Sequence, residues 1–330
     1  MRAMMIHGPD FDGVRLNEVP VPVPGPHEVR IRMRAATLNY RDLTRVWLFK
    51  PGAAPFVLLS CGCGEVEAVG DAVTRFKVGD RVAPTFFPDW LGGPQDNALL
   101  KRNLGNTVPG TASEYMVVGE QAAVHAPATL GDLEVATLPC AALTAWRSLF
   151  CVRATRPGDV VLLLGTGGVS IAALQLAKAA GAVTIITSSS DAKLARARAL
   201  GADLTINYRT TPQWAQRVRE LTGGAGADVV LDVAGGETTA QAAEALRSGG
   251  TMANIGLVAG ERGKSSGRQD IDHPFIRVGS RADFENMNRA IVANRIRPVI
   301  DEVFELEELG RAMKVLSEGR VFGKIGIRIR

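Results

Sequence analysis

Two different periods of hydrophobic and polar residues divide the chain near residue 125. Before that point, short alternating stretches lie between glycines and prolines, as in residues 14–17 and 28–34, and they predict β-strands. Residues 56–68 predict a further strand region, which is broken at Cys61-Gly62-Cys63-Gly64. Many short strands joined by glycine turns indicate a compact, partly closed β domain.

After residue 125, apolar strands alternate with helical patterns. A helix is predicted over residues 134–151, and strands follow at 160–164, 183–187, 204–206, 229–233 and 251–255, with helices between them. This strict alternation predicts an α/β fold with a doubly wound parallel sheet. A helix at 282–293 and strand, helix and strand patterns at 298–304, 306–316 and 325–329 complete the chain. We expect the last strand to pair with the first β domain.

A glycine-rich turn connects the first strand of this sheet to a helix. Five apolar residues at 160–164 precede Gly165-Thr166-Gly167-Gly168-Val169, and apolar residues at helical spacing follow. In this context Gly165 permits a tight turn, and Gly167 lets the backbone approach a pyrophosphate. The N–H groups at the start of the helix then face that anion. A purely structural turn is the alternative, and the flanking strand and helix favour a dinucleotide site.

Composition narrows the function classes. A chain of 330 residues with 46% hydrophobic and 22% charged residues is typical of a protein with two globular domains. The net charge of +4 is scattered, so neither a nucleic-acid surface nor a membrane surface is indicated. No segment resembles a membrane span or a signal peptide, and the four cysteines lack a disulfide-framework spacing. We expect a cytoplasmic protein with reduced thiols.

The segment 86–110 has little periodicity and is rich in Gly, Pro, Asn and Leu. Long loops of this kind bind a ligand or are mobile. The alternative is a rigid excursion packed by its own aromatic residues, Phe86, Phe87 and Trp90.

Several motifs in order give the chain a family resemblance. They are Asn39-Tyr40-Arg41-Asp42-Leu43, Val78-Gly79-Asp80-Arg81-Val82, residues 138–145, the glycine turn, and Phe322-Gly323-Lys324-Ile325. The chain resembles the medium-chain dehydrogenase/reductase superfamily, on its zinc-independent, quinone-oxidoreductase-like side. The resemblance implies a GroES-like catalytic β domain from residues 1–124 and 295–330, with a Rossmann dinucleotide-binding domain at 125–294.

The resemblance also bears on metal binding. Zinc-dependent relatives hold a catalytic zinc with Cys, His and Cys, and the corresponding positions here are Asn39, a residue near Ser60, and Cys140. A single thiolate cannot replace three protein ligands, so we predict no bound metal. The position of Cys61 is often acidic in relatives. Cys61 is therefore either a reactive thiol or, together with Cys63, one of two small buried residues.

Hydroxyl groups occupy the position that decides cofactor choice. NAD-binding folds place an acidic residue at the end of the second strand, but here that segment reads Thr187-Ser188-Ser189-Ser190, with Asp191 already in a helix-capping position. The resemblance implies that Ser189, Lys193 and Tyr208 bind the 2′-phosphate of NADPH. A solvated lysine and an ordinary strand-end tyrosine are the alternatives. The predicted cofactor site is completed by Gly165, Gly167, Gly168, Val169, Thr144 and Gly256.

The resemblance implies that residues 39–43 line the catalytic site. We assign Tyr40 as the oxyanion donor or proton source and Asn39 as a positioning group for substrate or nicotinamide ribose, whereas Arg41 and Asp42 form a structural pair. The first predicted function is NADPH-dependent reduction of the activated C=C bond or quinone of a conjugated carbonyl substrate. The alternatives are a zinc-independent alcohol or carbonyl dehydrogenase and an NADPH-binding protein without a redox role.

We further predict a homodimer. Residues 251–280 contain Phe275-Ile276-Arg277-Val278, an apolar strand candidate late in the second domain. An unpaired strand of this kind is an association hazard, which a partner subunit would cover.

Overall fold

The strands and helices below come from a computed structural model, which describes residues 1–256 and 267–330. The strands are β1 (Arg2–Ile6), β2 (Val14–Glu18), β3 (Glu28–Thr37), β4 (Phe56–Val57), β5 (Cys61–Val69), β6 (Arg81–Pro84), β7 (Tyr115–Gly119), β8 (Ala123–His125), β9 (Val160–Leu163), β10 (Val183–Ser188), β11 (Leu204–Asn207), β12 (Ala227–Asp232), β13 (Leu246–Asn254), β14 (Ile300–Glu305) and β15 (Lys324–Arg328). The helices are α1 (Tyr40–Trp47), α2 (Asp132–Ala136), α3 (Leu143–Trp146), α4 (Gly168–Ala179), α5 (Asp191–Ala199), α6 (Trp214–Leu221), α7 (Thr238–Glu244), α8 (Arg281–Ala293) and α9 (Leu309–Ser317).

The described residues form two compact units. The first unit comprises Met1–Leu143 and Val278–Arg330, and the second comprises Thr144–Arg277. Helices α2 and α8 belong to the first unit through their packing: Thr37 Oγ1 donates to the Ala136 carbonyl at 2.8 Å, and Asn288 Nδ2 donates to the His125 carbonyl at 3.3 Å. The domain ranges taken from the sequence place both helices in the dinucleotide-binding domain at 125–294, and they stay a prediction.

Two sheets build the first unit. A small antiparallel sheet has the order β2-β1-β4, and a larger one has the order β14-β15-β3-β5-β6-β8, with β7 also paired to β3. Strand β15 runs antiparallel to β3, with Gly326 opposite Thr37, so the expected pairing of the last strand with the first β domain is confirmed. The core of the first unit includes the fully buried side chains of Ile31, Val66 and Ile327. Burial of such a side chain contributes roughly 1.5–3 kcal/mol.

The predicted break at Cys61-Gly62-Cys63-Gly64 is wrong, because β5 begins at Cys61 and runs through all four residues. The two glycines are needed for close packing within the strand. A Cβ at Gly64 would lie 2.3 Å from the Arg32 carbonyl oxygen, and one at Gly62 would lie 2.4 Å from the Met33 methyl carbon. Glycine in a strand therefore marks the close approach of a neighbour here.

Segment 86–110 is packed by its own aromatic residues, as one of the two alternatives expected. Trp90 is fully buried, and the rings of Phe86 and Phe87 lie 4.6 Å apart. The Arg41 guanidinium stacks over Phe86 at 4.5 Å. These contacts tie the loop to the start of α1.

A parallel sheet with the order β11-β10-β9-β12-β13 forms the centre of the second unit. Its middle strand, β9, buries Val161, Leu162 and Leu163 completely, as a strand covered on both faces requires. The helices alternate with these strands along the chain, which confirms the predicted doubly wound α/β fold. The predicted single helix at 134–151 is replaced by α2 and α3 with wider π-helical turns at Leu138–Ala142 and Arg147–Cys151, and Pro139 lies in the first of these.

The strand candidate at residues 275–278 is wrong. Phe275 forms one isolated parallel bridge with Asn254, and Val278 has a positive φ of 41°. Pro274 lacks an N–H group and the left-handed backbone at Val278 ends the extended conformation, so no regular strand forms. Part of the expected dimer segment, residues 257–266, lies outside the described residues.

Candidate active site and cofactor site

Helix α1 begins with a buried carboxylate that holds its first turn. Asp42 Oδ2 accepts the N–H of Asn39 at 2.7 Å, which satisfies one of the backbone groups left over at a helix start. Burial raises the pKa of Asp42, and the nearby Arg41 charge opposes this shift. Arg41 lies 4.0 Å from Asp42 and also donates to the Leu104 carbonyl at 2.9 Å. These contacts agree with the predicted structural pair.

Tyr40 is the first residue of α1 and is half-buried. Its ring meets Trp47 edge-on, with the ring centroids 6.0 Å apart. The packing holds the ring at the start of the helix, next to Asn39. The catalytic assignment of Tyr40 stays a prediction.

Asn39 joins a lysine to a thiol. Its Oδ1 accepts from the ammonium of Lys324 at 2.7 Å, and its Nδ2 donates to Cys61 Sγ at 3.1 Å. Lys324 also donates to the Leu38 carbonyl. Because the side chain of Lys324 is only 6% exposed, its charge acts in a medium that water screens weakly. The amide of Asn39 is therefore fixed in orientation, with its carbonyl toward the ammonium and its N–H toward sulfur.

The thiols of Cys61 and Cys140 affect each other's ionisation, and their pKa values shift in opposite directions. Burial disfavours ionisation of Cys61, but the hydrogen bond with Cys140, the charge of Lys324 and the Asn39 amide together lower its pKa to about 7. The hydrogen bond with Cys61 and burial raise the pKa of Cys140. Cys63, two residues along β5, has its pKa raised by burial and by Asp132. The four residues Asn39, Cys61, Cys140 and Lys324 are called the thiol cluster below.

Lys324 is the member of this cluster that the sequence reasoning missed. It begins β15, and the strand register places Gly326 beside Thr37, two residues before Asn39. The signal was present in the sequence, because a lysine within Phe322-Gly323-Lys324-Ile325 interrupts an apolar strand pattern. A charged residue is buried in this way only when it is paired.

The positions predicted to correspond to the ligands of zinc-dependent relatives are Asn39, a residue near Ser60, and Cys140. Ser60 is fully buried, and its Oγ lies 3.8 Å from Cys61 Sγ. Within residues 1–256 and 267–330, no group of three or more His, Cys, Asp and Glu side chains is arranged to hold a metal ion.

The glycine turn of the second unit has the geometry expected of it. Gly165 has a φ of +75°, which only glycine adopts readily, and its N–H donates to Thr187 Oγ1 at 3.2 Å. A Cβ added at Gly165 or Gly167 would meet no atom of the described chain within 4 Å, so open space adjoins the turn. Helix α4 begins at Gly168, followed by Val169, and in the part of the chain described no side chain caps it. Its first N–H groups are thus available to an anion.

Ser189 and Tyr208 directly follow the carboxyl ends of the neighbouring strands β10 and β11, and Lys193 lies in the helix after β10. Ser188 lies opposite Asn207, and the N–H of Tyr208 donates to the Ser188 carbonyl at 3.1 Å. Lys193 lies in the first turn of α5, which starts two residues after Ser189. Tyr208 is 42% exposed.

The capping position assigned to Asp191 is wrong. Ser190 is the N-cap of α5, and its Oγ accepts the Lys193 N–H at 3.4 Å. Asp191 is the first helical residue, and its carboxylate accepts from Asn207 Nδ2 at 2.8 Å. That side chain stabilises the start of the helix, and β10 itself ends in hydroxyl groups.

Thr144 and Gly256 each make contacts that a structural role would explain. Thr144 is buried, and its carbonyl accepts from Ser148 Oγ at 2.8 Å. A Cβ at Gly256 would lie 1.9 Å from the Val233 carbonyl oxygen, so the backbone crossing alone requires glycine there. The roles of both residues in cofactor binding stay predictions.

Comparison with known proteins identifies the family. Residues 25–128 match the alcohol dehydrogenase GroES-like domain, and residues 168–291 match the zinc-binding dehydrogenase family. A zinc-type alcohol dehydrogenase-like protein of Schizosaccharomyces pombe is 40% identical, over 97% of this chain and 96% of that protein. The chain belongs to the medium-chain dehydrogenase/reductase superfamily. As a member, it is an NAD(P)-dependent oxidoreductase with a small-molecule substrate.

Relatives in this superfamily include both alcohol dehydrogenases and quinone oxidoreductases. The crystal structure of an NAD-dependent alcohol dehydrogenase matches with a TM-score of 0.89 at 34% identity, over 100% of both chains. A quinone oxidoreductase of Pseudomonas aeruginosa is also 34% identical, over 91% of this chain and 90% of that protein. The similarity thus extends to zinc-type alcohol dehydrogenase-like members and does not single out the quinone-oxidoreductase-like branch. No helix in the described ranges is long and apolar enough to cross a membrane.

Proposed function

We propose that this dehydrogenase interconverts a carbonyl compound and its alcohol with NADPH, without a metal ion. The observation that carries the proposal is the buried ammonium of Lys324, held 2.7 Å from Asn39 Oδ1 beside the start of α1. A fixed cationic donor supplies the electrostatic stabilisation of a developing alkoxide that zinc supplies elsewhere. Reduction of an unactivated ketone requires a strong hydrogen-bond donor, and none was evident in the sequence. Because the ammonium of Lys324 can act as that donor, we now favour carbonyl reduction over reduction of conjugated carbonyls.

The residues at the zinc positions do not fit a catalytic zinc. Asn39 uses both ends of its amide on Lys324 and Cys61, and Ser60 is buried against the same sulfur. The ammonium brings positive charge into the cluster, and only Cys140 is a thiol at an expected ligand position. The proposed reaction therefore uses no metal ion.

NADPH is the cofactor we propose, and it supplies hydride. Open space at Gly165 and Gly167 and the uncapped start of α4 fit a pyrophosphate. Hydroxyl groups at the end of β10, with Lys193 and Tyr208 alongside, fit a 2′-phosphate better than they fit a bare ribose. Tyr40 donates a hydrogen bond to the substrate oxygen, and Asn39 orients the substrate or the nicotinamide ribose.

Reduction of a quinone or of the activated C=C bond of an enone is the second candidate. The 34% identical quinone oxidoreductase favours it. Charge in that reaction is delocalised over the enolate or hydroquinone, so the demand on a proton donor is smaller.

Product analysis on one substrate separates the two candidates. Cyclohexenone incubated with NADPH gives cyclohexenol if hydride reaches the carbonyl carbon and cyclohexanone if it reaches the β-carbon. We expect cyclohexenol, together with NADP⁺-dependent oxidation of secondary alcohols. Cyclohexanone as the product would support the second candidate. No turnover of any ketone, enone or quinone in a panel would contradict both candidates.

We also propose a cytoplasmic homodimer that binds no nucleic acid. Light scattering at micromolar concentration should give twice the mass of 35.0 kDa. A single-chain mass would contradict the dimer.

A further inference from the structure

Asn207 uses both ends of its side-chain amide beside the proposed phosphate contacts. It is the last residue of β11 and directly precedes Tyr208. Its Nδ2 donates to the Asp191 carboxylate at 2.8 Å, and its Oδ1 accepts the N–H of Arg209 at 3.0 Å. The amide therefore connects the first residue of α5 with the turn that carries Tyr208.

These two hydrogen bonds restrain different parts of the chain. The bond from the Arg209 N–H closes a side-chain turn around Tyr208, whose own N–H donates to the Ser188 carbonyl at 3.1 Å. The bond to Asp191 holds the start of α5, where Lys193 lies in the first turn. One amide thus joins the two segments that carry the proposed phosphate contacts.

We propose that Asn207 is a positioning residue for the 2′-phosphate of NADPH and determines part of the preference for NADPH over NADH. This inference rests on the proposed function, in which Ser189, Lys193 and Tyr208 bind that phosphate. Asn207 acts through these residues by holding α5 and the turn after β11 in one relative arrangement. Groups that are held in place before binding lose less freedom when the ligand arrives, so affinity increases. NADH lacks the 2′-phosphate and gains nothing from this arrangement.

The partner of Asn207 is a carboxylate, which is unfavourable beside a phosphate. Asp191 is exposed and is two residues from both Ser189 and Lys193, so its Cα lies within about 7 Å of theirs. Negative charges at such a separation repel each other. The hydrogen bond from Asn207 Nδ2 fixes the carboxylate in one position and places the positive end of the amide against it. Without this bond the carboxylate is free to approach the phosphate.

The test compares variants of equal net charge. Asn207→Ala removes both hydrogen bonds and leaves the charge of Asp191 in place. The exchange variant, Asp191→Asn with Asn207→Asp, can still join the two side chains by a hydrogen bond and keeps an acceptor for the N–H of Arg209. Asn17→Ala is the matched control, because Asn17 lies in the first unit, where its Nδ2 donates to the Arg15 carbonyl at 2.9 Å.

Isothermal titration calorimetry of the full chain measures the affinities for NADPH, NADH, 2′,5′-ADP and 5′-AMP. In Asn207→Ala we expect binding of NADPH and 2′,5′-ADP to weaken roughly fivefold, which is the effect of one unit charge about 4 Å from another in water. NADH and 5′-AMP, which carry no 2′-phosphate, should bind as they do to the wild type. The exchange variant should recover most of the loss, and Asn17→Ala should bind every ligand like the wild type.

The results that contradict the inference also separate it from the choice of cofactor. A wild-type preference for NADPH that a folded Asn207→Ala variant retains in full overturns the inference and leaves the NADPH proposal standing. An equal loss for NADPH and NADH gives Asn207 a structural role only. An exchange variant that binds 2′,5′-ADP no better than Asn207→Ala removes the role of the bond to Asp191. Equal wild-type affinities for NADPH and NADH overturn the NADPH proposal and the inference together.

Discussion

Removing the charge of Lys324 should reduce the ionised fraction of Cys61 near neutral pH. Lys324→Met keeps the length and apolar stem of the side chain but deletes the ammonium that lies 2.7 Å from Asn39 Oδ1. Burial would then disfavour the thiolate with less opposition, because only the hydrogen bonds from Cys140 and Asn39 would remain. We expect the pKa of Cys61 to rise by about one unit or more, because a nearby opposite charge typically shifts a pKa by about 1–3 units.

The size of the effect follows from the two pKa values. With a pKa of about 7, about half of Cys61 is thiolate at neutral pH, whereas a pKa raised by about one unit leaves roughly a tenth. The fraction of Cys61 present as thiolate at neutral pH should therefore fall roughly fivefold.

Titration of the thiolate by its ultraviolet absorbance measures this directly. Wild-type protein should show a step with a midpoint of about 7 that Cys61→Ser lacks, and Lys324→Met should move that step upward. Lys314→Met, which removes an exposed lysine of α9, is the matched control and should titrate as wild type. An unchanged step in a folded Lys324→Met variant would refute the role given to the ammonium.

Three further predictions test separate residues. NADPH should bind at least tenfold more tightly than NADH, about 1.4 kcal/mol, and Lys193→Ala should remove most of that difference while sparing NADH; equal wild-type affinities by fluorescence titration would contradict this. Tyr40→Phe should lower kcat by roughly 10²–10³ with little change in NADPH affinity, and full turnover on every substrate would make Tyr40 structural. Asp42 has a raised pKa in the folded state, so its favourable contribution exists below the unfolded pKa and is lost as pH rises through the folded value. The melting temperature of Asp42→Asn relative to wild type should therefore increase between pH 4 and pH 7.5, and a pH-independent difference would contradict the assignment.

The order of elements could be predicted from the sequence because each depends on local patterns. The run at Val160–Leu163 and the glycines after it specify a buried strand and a turn without help from other parts of the chain. The Cys61-Gly62-Cys63-Gly64 segment could not be predicted, since its glycines are explained by the positions of Arg32 and Met33 on a neighbouring strand. Likewise, the conformation at Phe275 depends on a single bridge with Asn254, which is 21 residues away in the sequence.

Some parts of the candidate site could likewise be predicted from local sequence patterns, and others depend on distant residues. The Ser-rich end of β10 is a local signal, and the adjacency of Ser189 and Tyr208 follows from parallel strand order. The thiol cluster joins residues 39, 61, 140 and 324, which no local pattern links. Its chemistry therefore emerged only when the strand register was known.

The split composition of the first unit has a consequence for synthesis on the ribosome. Thr144–Arg277 is one continuous stretch, so it is complete before Val278–Arg330 is made. The part of β3 that pairs with β15 stays unpaired while the ribosome synthesises the chain from Thr37 to Lys324. At 5–20 residues per second this takes about 15–60 s. Throughout that interval the nascent chain holds Cys61 without its ammonium, and the thiol acquires its counter-charge only when the last strand is added.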